Sequence, residues 1–208
     1  MADAMNDAVI TMEQVGGRTL RTATWRLDQD SEHPPVLFFN GIGANIEAVA
    51  PLADALPERG LIMFDMPGTG ESPDPVLPYN PFTMSWTAAE LLGRYGLGEG
   101  DVMGVSWGGA MAQHFALQHP KRTRRLILIA TTPGMAMVPG NHAAFTKMAN
   151  PRRYIDPEFM NEHFATLYGG VDKDGAEHQK DSHIGRLKPP SPRGYMYQLL
   201  CMLGWTSL

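Results

Sequence analysis

The chain has 208 residues, 43% hydrophobic and 19% charged, with a net charge of −5 at neutral pH. That length supports one substantial core rather than two independent domains, and the absence of a lysine and arginine excess argues against a nucleic-acid ligand. A single cysteine, Cys201, excludes an internal disulfide, fits a reducing cytosol and is expected to pack as an apolar residue.

Residues 1–12 carry Asp3 and Asp7 and no basic side chain, unlike a signal peptide. No apolar stretch approaches the roughly 20 residues of a membrane span, so the expected location is the cytoplasm. Residues 8–15 and 19–27 alternate apolar and polar side chains about Gly16-Gly17, as a β-hairpin does. Val36-Leu37-Phe38-Phe39, after Pro34-Pro35, is a short strand buried on both faces. Helical spacing follows over 45–56, then a second buried strand over 61–64 ending at Asp65. Residues 82–95 form a helix expected to hold Thr87, Glu90 and Arg94 on its wet side. A third strand spans 102–105, a third helix 107–119, and a fourth buried strand 125–130. The basic patch Lys121, Arg122, Arg124 and Arg125 is expected to complement the dipole of the preceding helix and solvate a turn. Strands alternating with helices predict an α/β architecture with a mostly parallel sheet covered on both faces. After Thr131 no further apolar β-run appears. Residues 1–133 are therefore expected to form the core and 134–208 a helical cap over the carboxyl ends of the strands. The chain's 14 methionines suit an adaptable apolar surface or gaps in a core.

Gly104-Val105-Ser106-Trp107-Gly108 joins the third strand to the third helix. G-x-S-x-G in that setting matches the nucleophile elbow of the α/β-hydrolases: the flanking glycines, Gly104 and Gly108, permit a tight turn, and the hydroxyl is left at the top of the sheet. Ser106 is thus the candidate nucleophile, against the plainer reading of a serine N-cap. Acyl transfer also needs hydrogen-bond donors aimed at the developing oxyanion. One is expected from the Trp107 backbone N–H. The second is expected from the loop Asn40-Gly41-Ile42-Gly43-Ala44-Asn45, through the Ile42 N–H, with Gly41 and Gly43 allowing close backbone approach. That chemistry requires neither metal nor organic cofactor.

Two neighbouring features are given no chemistry. Asp65-Met66-Pro67-Gly68-Thr69-Gly70-Glu71-Ser72 shapes a loop, with Asp65 expected to bind backbone amides. Gly41-Ile42-Gly43 followed by Asp65 imitates a dinucleotide fingerprint, but Ile46 stands at the third glycine position and the elbow is left unexplained.

The segments Phe39-Asn40-Gly41-Ile42-Gly43-Ala44-Asn45, Gly104-Val105-Ser106-Trp107-Gly108-Gly109-Ala110, Met137-Val138-Pro139-Gly140, Pro151-Arg152-Arg153-Tyr154, Tyr168-Gly169-Gly170 and Leu203-Gly204-Trp205-Thr206-Ser207 resemble the intracellular medium-chain-length poly(3-hydroxyalkanoate) depolymerases, from about residue 9 onward. The resemblance implies an α/β-hydrolase fold and a serine esterase that cleaves storage polyester at a granule surface, releasing 3-hydroxy acids or oligomers. Alternatives of other kinds are a general carboxylesterase or carbon–carbon bond hydrolase of the same fold, and a non-catalytic fragment that binds granules or a partner.

The family triad places an acid and then a histidine on later loops, and neither they nor the last strands have a counterpart up to Leu208. His114 lies eight residues along the helix from Ser106, about 12 Å at 1.5 Å per residue, too far for a base that must come within roughly 3 Å. His33 and His119 are expected at the far end of the sheet, and His142, His163, His178 and His183 in the cap. A feeble nucleophile is the expectation, together with self-association through an unpaired sheet edge near Ile127.

Overall fold

A computed structural model describes residues 5–28, 31–134, 146–147, 150–168 and 185–208. The motif at 137–140, the glycines 169 and 170, and His142, His178 and His183 lie outside the described residues.

Six strands form one sheet in the order β1-β2-β4-β3-β5-β6. Strands β1 (Val9–Val15) and β2 (Arg18–Trp25) are the expected hairpin. Gly16 and Gly17 both take positive φ, +57° and +70°, which a two-residue turn of matching twist requires. β2 runs antiparallel to β4 (Leu61–Phe64); from there β4, β3 (Val36–Phe39), β5 (Gly100–Val105) and β6 (Thr123–Ile129) are parallel neighbours. The apolar runs of β3 and β4 are two-faced, as their composition demands, whereas β6, expected to be buried, lies at the sheet edge with Leu126, Leu128 and Ile129 exposed. Leu37, Phe39, Ile62, Phe64 and Val102 pack beneath α3 (Pro81–Arg94) and α4 (Trp107–Gln118). Val36, Phe38, Leu61, Met63 and Met103 face the other way, toward Ile46, Ala50 and Ala53.

The helix expected over 45–56 is two short ones, α1 (Ile46–Val49) and α2 (Pro51–Ala55), because Pro51 has no N–H to continue the ladder. Thr87 is buried, contrary to expectation. The hairpin turn lies over that face of α3: Gly16 N–H donates to Glu90 Oε2 at 2.8 Å, and Arg94 Nη2 donates to the Gln14 carbonyl at 2.9 Å. Helices α5 (Arg152–Ile155), α6 (Pro157–Tyr168) and α7 (Pro192–Cys201) follow the sheet. Ser191, whose hydroxyl accepts from Gly194 N–H, and Pro192 start α7 in the usual way for a helix N-terminus. Cys201 is buried in the core, and burial pushes its thiol up to about 12, so it is inert packing. No helix among the described residues is long and apolar enough to cross a membrane.

The basic patch does more than solvate a turn. Arg122 donates to the carbonyls of Ala89, Leu97 and Gly98, tying the end of α3 to the entry of β5. Arg124 meets Asp101 through Nε and Nη2 at 2.8 and 2.7 Å, and Arg59 Nη2 reaches the same carboxylate at 2.7 Å. The bonds from Arg124, then those from Arg59, hold the Asp101 carboxyl below its usual range against its burial. Such a carboxylate stabilises the fold above its unfolded pKa of about 4, and the contribution is lost as pH falls through its lower folded value. Asp101→Asn should therefore cost about 2 kcal/mol at neutral pH, or about 4–8 °C in Tm at this size. Melting both proteins from pH 7 down to 2 should show the gap closing below pH 4; a gap independent of pH would contradict the charge-based account.

Candidate active site

Parallel pairing of β3 with β5 puts Phe39 opposite Gly104, so the loops that leave these two strands emerge side by side at their carboxyl ends. Here neighbouring strands send their chains to opposite sides of the sheet, which opens a crevice. Ser106 follows β5 directly and precedes α4, with φ 54° and ψ −121°. A serine rarely adopts that conformation, and three bonds hold it there. Its N–H donates to the Ile129 carbonyl at 2.9 Å, and its carbonyl accepts from Gly109 N–H and Thr131 Oγ1 at 2.9 and 2.8 Å.

The glycines of the elbow are sterically required. A Cβ on Gly104 would run into the Gly108 carbonyl and stand 2.8 Å from Ala112 Cβ, and one on Gly108 would overlap the carbonyl oxygens of Phe39 and Asn40. Gly108 therefore lets α4 start hard against the end of β3. Across the crevice, a Cβ on Gly41 would come within 3.9 Å of Ser106 Cβ, which measures how near the two loops pass.

The loop after β3 is a tight turn in which Ala44 N–H donates to the Gly41 carbonyl at 3.2 Å. Gly43 has φ +68°, and Tyr154 Cζ would stand 2.7 Å from any Cβ there. The peptide between Ile42 and Gly43 is gripped at both ends. Its carbonyl accepts from Arg153 Nη2 at 3.0 Å and from the Tyr154 hydroxyl, and its N–H donates to Gln198 Oε1 at 2.8 Å. The Ile42 and Trp107 amide hydrogens find no acceptor among the described residues. Trp107 N–H is the first of α4, where the helix dipole and unpaired amides favour negative charge.

Ser106 is half-buried and lines a cavity of about 300 Å³ with Asn40, Gly41, Ile42, Tyr154, Arg153 and the aliphatic side chains of Val49, Val105, Leu167 and Leu187. The arrangement places a serine hydroxyl and the Ile42 residue in the wall of a largely apolar chamber, with Trp107 next along the chain. The expected elbow and loop residues are thus brought together. Arg153 and Tyr154 had signalled themselves only through a motif, and Gln198 through nothing.

The described histidines go elsewhere. His114 accepts from Trp205 Nε1 at 3.1 Å, His119 packs against Phe115 and Trp86, His163 against Phe159, and His33 lies in the loop before β3. Among the described residues no histidine lines the Ser106 cavity. Asp65 is fully buried and accepts from Ile46 N–H, Glu71 N–H and Arg21 Nη1 at 2.8, 3.2 and 3.1 Å. Burial lifts its carboxyl to about 6 despite those bonds. It is a post for two loops, with no face left for a ribose.

A family model described as the alpha/beta hydrolase fold matches residues 34–189. The chain is 42% identical over 175 residues to a poly(3-hydroxyalkanoate) depolymerase of Ectopseudomonas oleovorans, covering 84% of this chain and 62% of that protein. It is 30% identical over 194 residues to a 2-hydroxymuconate semialdehyde hydrolase of Pseudomonas putida, covering 86% and 68%. Among solved structures, a hydrolase from Pseudomonas aeruginosa superposes with TM-score 0.67 at 20% identity, covering 96% of this chain and 74% of that one. A carboxylesterase from Nitrososphaera gargenis gives TM-score 0.70 at 15% identity, covering 93% and 71%. At those identities the two structures bear on the fold alone.

Proposed function

We infer function from one premise, that this chain belongs to the alpha/beta hydrolase fold family: it is a serine esterase acting on the ester bonds of a poly(3-hydroxyalkanoate) storage polyester. The observation that carries this reading is the strained Ser106, held at a strand-to-helix turn beside the amides of Ile42 and Trp107, which meet no acceptor among the described residues. The relative that is 42% identical, a poly(3-hydroxyalkanoate) depolymerase, supports the choice of substrate.

In this mechanism Ser106 Oγ attacks the ester carbonyl carbon as its proton passes to a base. The carbonyl oxygen becomes an oxyanion held by the Trp107 and Ile42 N–H groups. Collapse breaks the ester C–O bond, the alcohol end of the polymer leaves with a proton, and water then hydrolyses the acyl-serine to a 3-hydroxy acid or oligomer and free Ser106. No described histidine is assigned as the base. Residues 134–208 act as a cap whose apolar cavity wall, including Leu167 and Leu187, suits a long acyl chain. A cytoplasmic location at the granule surface follows from such a substrate. The apolar edge of β6, with Leu126, Leu128 and Ile129 partly exposed, supports self-association.

A second reading, a carbon–carbon bond hydrolase, is favoured by the semialdehyde hydrolase relative that aligns over 86% of this chain. Exposure to an alkyl fluorophosphonate with intact-mass and peptide mapping tests the shared step: one phosphonyl group on Ser106 is expected, acquired slowly because no described histidine lines the cavity, and no adduct after prolonged exposure, or one elsewhere, would sink both readings. Release of 3-hydroxy acids from medium-chain polyester granules, set against cleavage of a 2-hydroxymuconate semialdehyde, separates them.

A further inference from the structure

We propose that Gln198 is a positioning residue for the oxyanion site: its side chain in α7 braces the turn carrying one proposed donor, while its main-chain carbonyl holds the indole of the residue carrying the other. The inference rests on the serine-hydrolase reading of Ser106 and deepens it.

Gln198 is completely buried. Its side-chain carbonyl accepts from Gly43 N–H at 2.8 Å, one residue beyond Ile42, and its main-chain carbonyl accepts from the Trp107 indole Nε1 at 2.9 Å. The two bonds reach the two loops that supply the donors, from one point above them. The first has a definite conformational consequence. In the turn 41–44, Gly43 carries the positive φ, and rotating the Ile42–Gly43 peptide would convert the turn to one in which that residue has negative φ. Gln198 grips the N–H of this peptide while Arg153 and Tyr154 grip its carbonyl, so the rotation is blocked from both sides. With Gly41 carbonyl held by Ala44 N–H, the preceding peptide is fixed too, and the Ile42 N–H keeps its direction.

The amide's other end identifies the atom that matters. Gln198 Nε2 is buried and has no hydrogen-bond partner among the described residues. A buried donor left unsatisfied is costly, and a residue selected only to fill space would be apolar. What the position uses is the acceptor. A carboxyl group in its place keeps that acceptor in either protonation state and gives up no bond made by Nε2.

The test compares Gln198→Met, which keeps the length and removes the acceptor, with Gln198→Glu, which keeps it. Each is measured in the full chain for Tm, for the rate of Ser106 phosphonylation by an alkyl fluorophosphonate, and for the 31P shift of the adduct, whose phosphoryl oxygen sits where the oxyanion forms. Misdirecting a donor by about 1 Å is worth up to about a hundredfold. Gln198→Met should therefore react about ten- to a hundredfold more slowly with a displaced 31P signal, and Gln198→Glu within about threefold of the parent with the parent's signal. Gln198→Asn, which withdraws the same oxygen by one methylene, replaces the methionine variant if that one does not fold. Equal rates in all forms, or equal losses in the methionine and glutamate variants, would overturn the proposal. An unlabelled parent chain would instead remove the hydrolase reading on which it stands.

Discussion

Gly108→Ala is expected to destabilise the fold by about 3 kcal/mol or more and to silence Ser106 at the same time. The added methyl has nowhere to go, since it would overlap the Phe39 and Asn40 carbonyl oxygens, which are backbone atoms at the end of a central strand. Relief requires α4 to slide away from β3, and overpacking in a rigid interior costs about 1–3 kcal/mol, occasionally more. For a chain of this size, 3 kcal/mol lowers Tm by about 6–12 °C. The same slide carries Trp107 N–H and Ser106 away from the 40–45 loop, so phosphonylation should fall by at least the hundredfold attached to losing one oxyanion donor. A variant with parental Tm and rate would show that strand and helix do not meet as closely as described.

The second large effect separates chemistry from stability at one position. Ser106→Ala and Ser106→Gly should both abolish phosphonylation and ester turnover, because each removes the attacking oxygen. They should differ in stability. With φ 54° and ψ −121°, the serine backbone occupies a region costing about 1–3 kcal/mol for a residue with a side chain. Alanine inherits that strain, whereas glycine does not. Part of glycine's advantage is offset by its larger unfolded-state entropy, about 0.5–1 kcal/mol. Ser106→Gly should then exceed Ser106→Ala by about 1 kcal/mol, some 2–4 °C in Tm. Calorimetry that ranks alanine equal to or above glycine would mean the turn is not strained.

Where burial is two-sided, the sheet could be read directly from the chain. Val36–Phe39 and Leu61–Phe64 have no polar member, and only a strand covered above and below tolerates that. The elbow was equally plain, since glycines flank a serine where one periodicity gives way to another. Tertiary contacts hid the rest. Glu90 and Arg94 are exposed as their spacing predicts, but Thr87 on the same helix is buried because the Gly16-Gly17 turn packs against it. Arg122 and Arg124 looked like solvated charge because the carbonyls of Leu97 and Gly98 and the Asp101 carboxylate they bind lie more than 20 residues earlier. Helix α7, begun by Ser191-Pro192, was not read from the sequence. Nor was its role, because Gln198 meets Gly43 across 155 residues and no periodicity records such a meeting.

That span has a consequence in time. Chains are made at about 5–20 residues per second and fold from the amino end, so the ribosome delivers the turn at 41–44 roughly 8–30 s before the glutamine that steadies it. Late in that interval, once residues 129 and 131 are made, the serine can take its bend while the Ile42–Gly43 peptide still lacks its glutamine acceptor. That turn stays unbraced until α7 seats its bare Gly194 backbone against Gly68, where a Cβ on either residue would fall within 2.7 Å of the other's Cα.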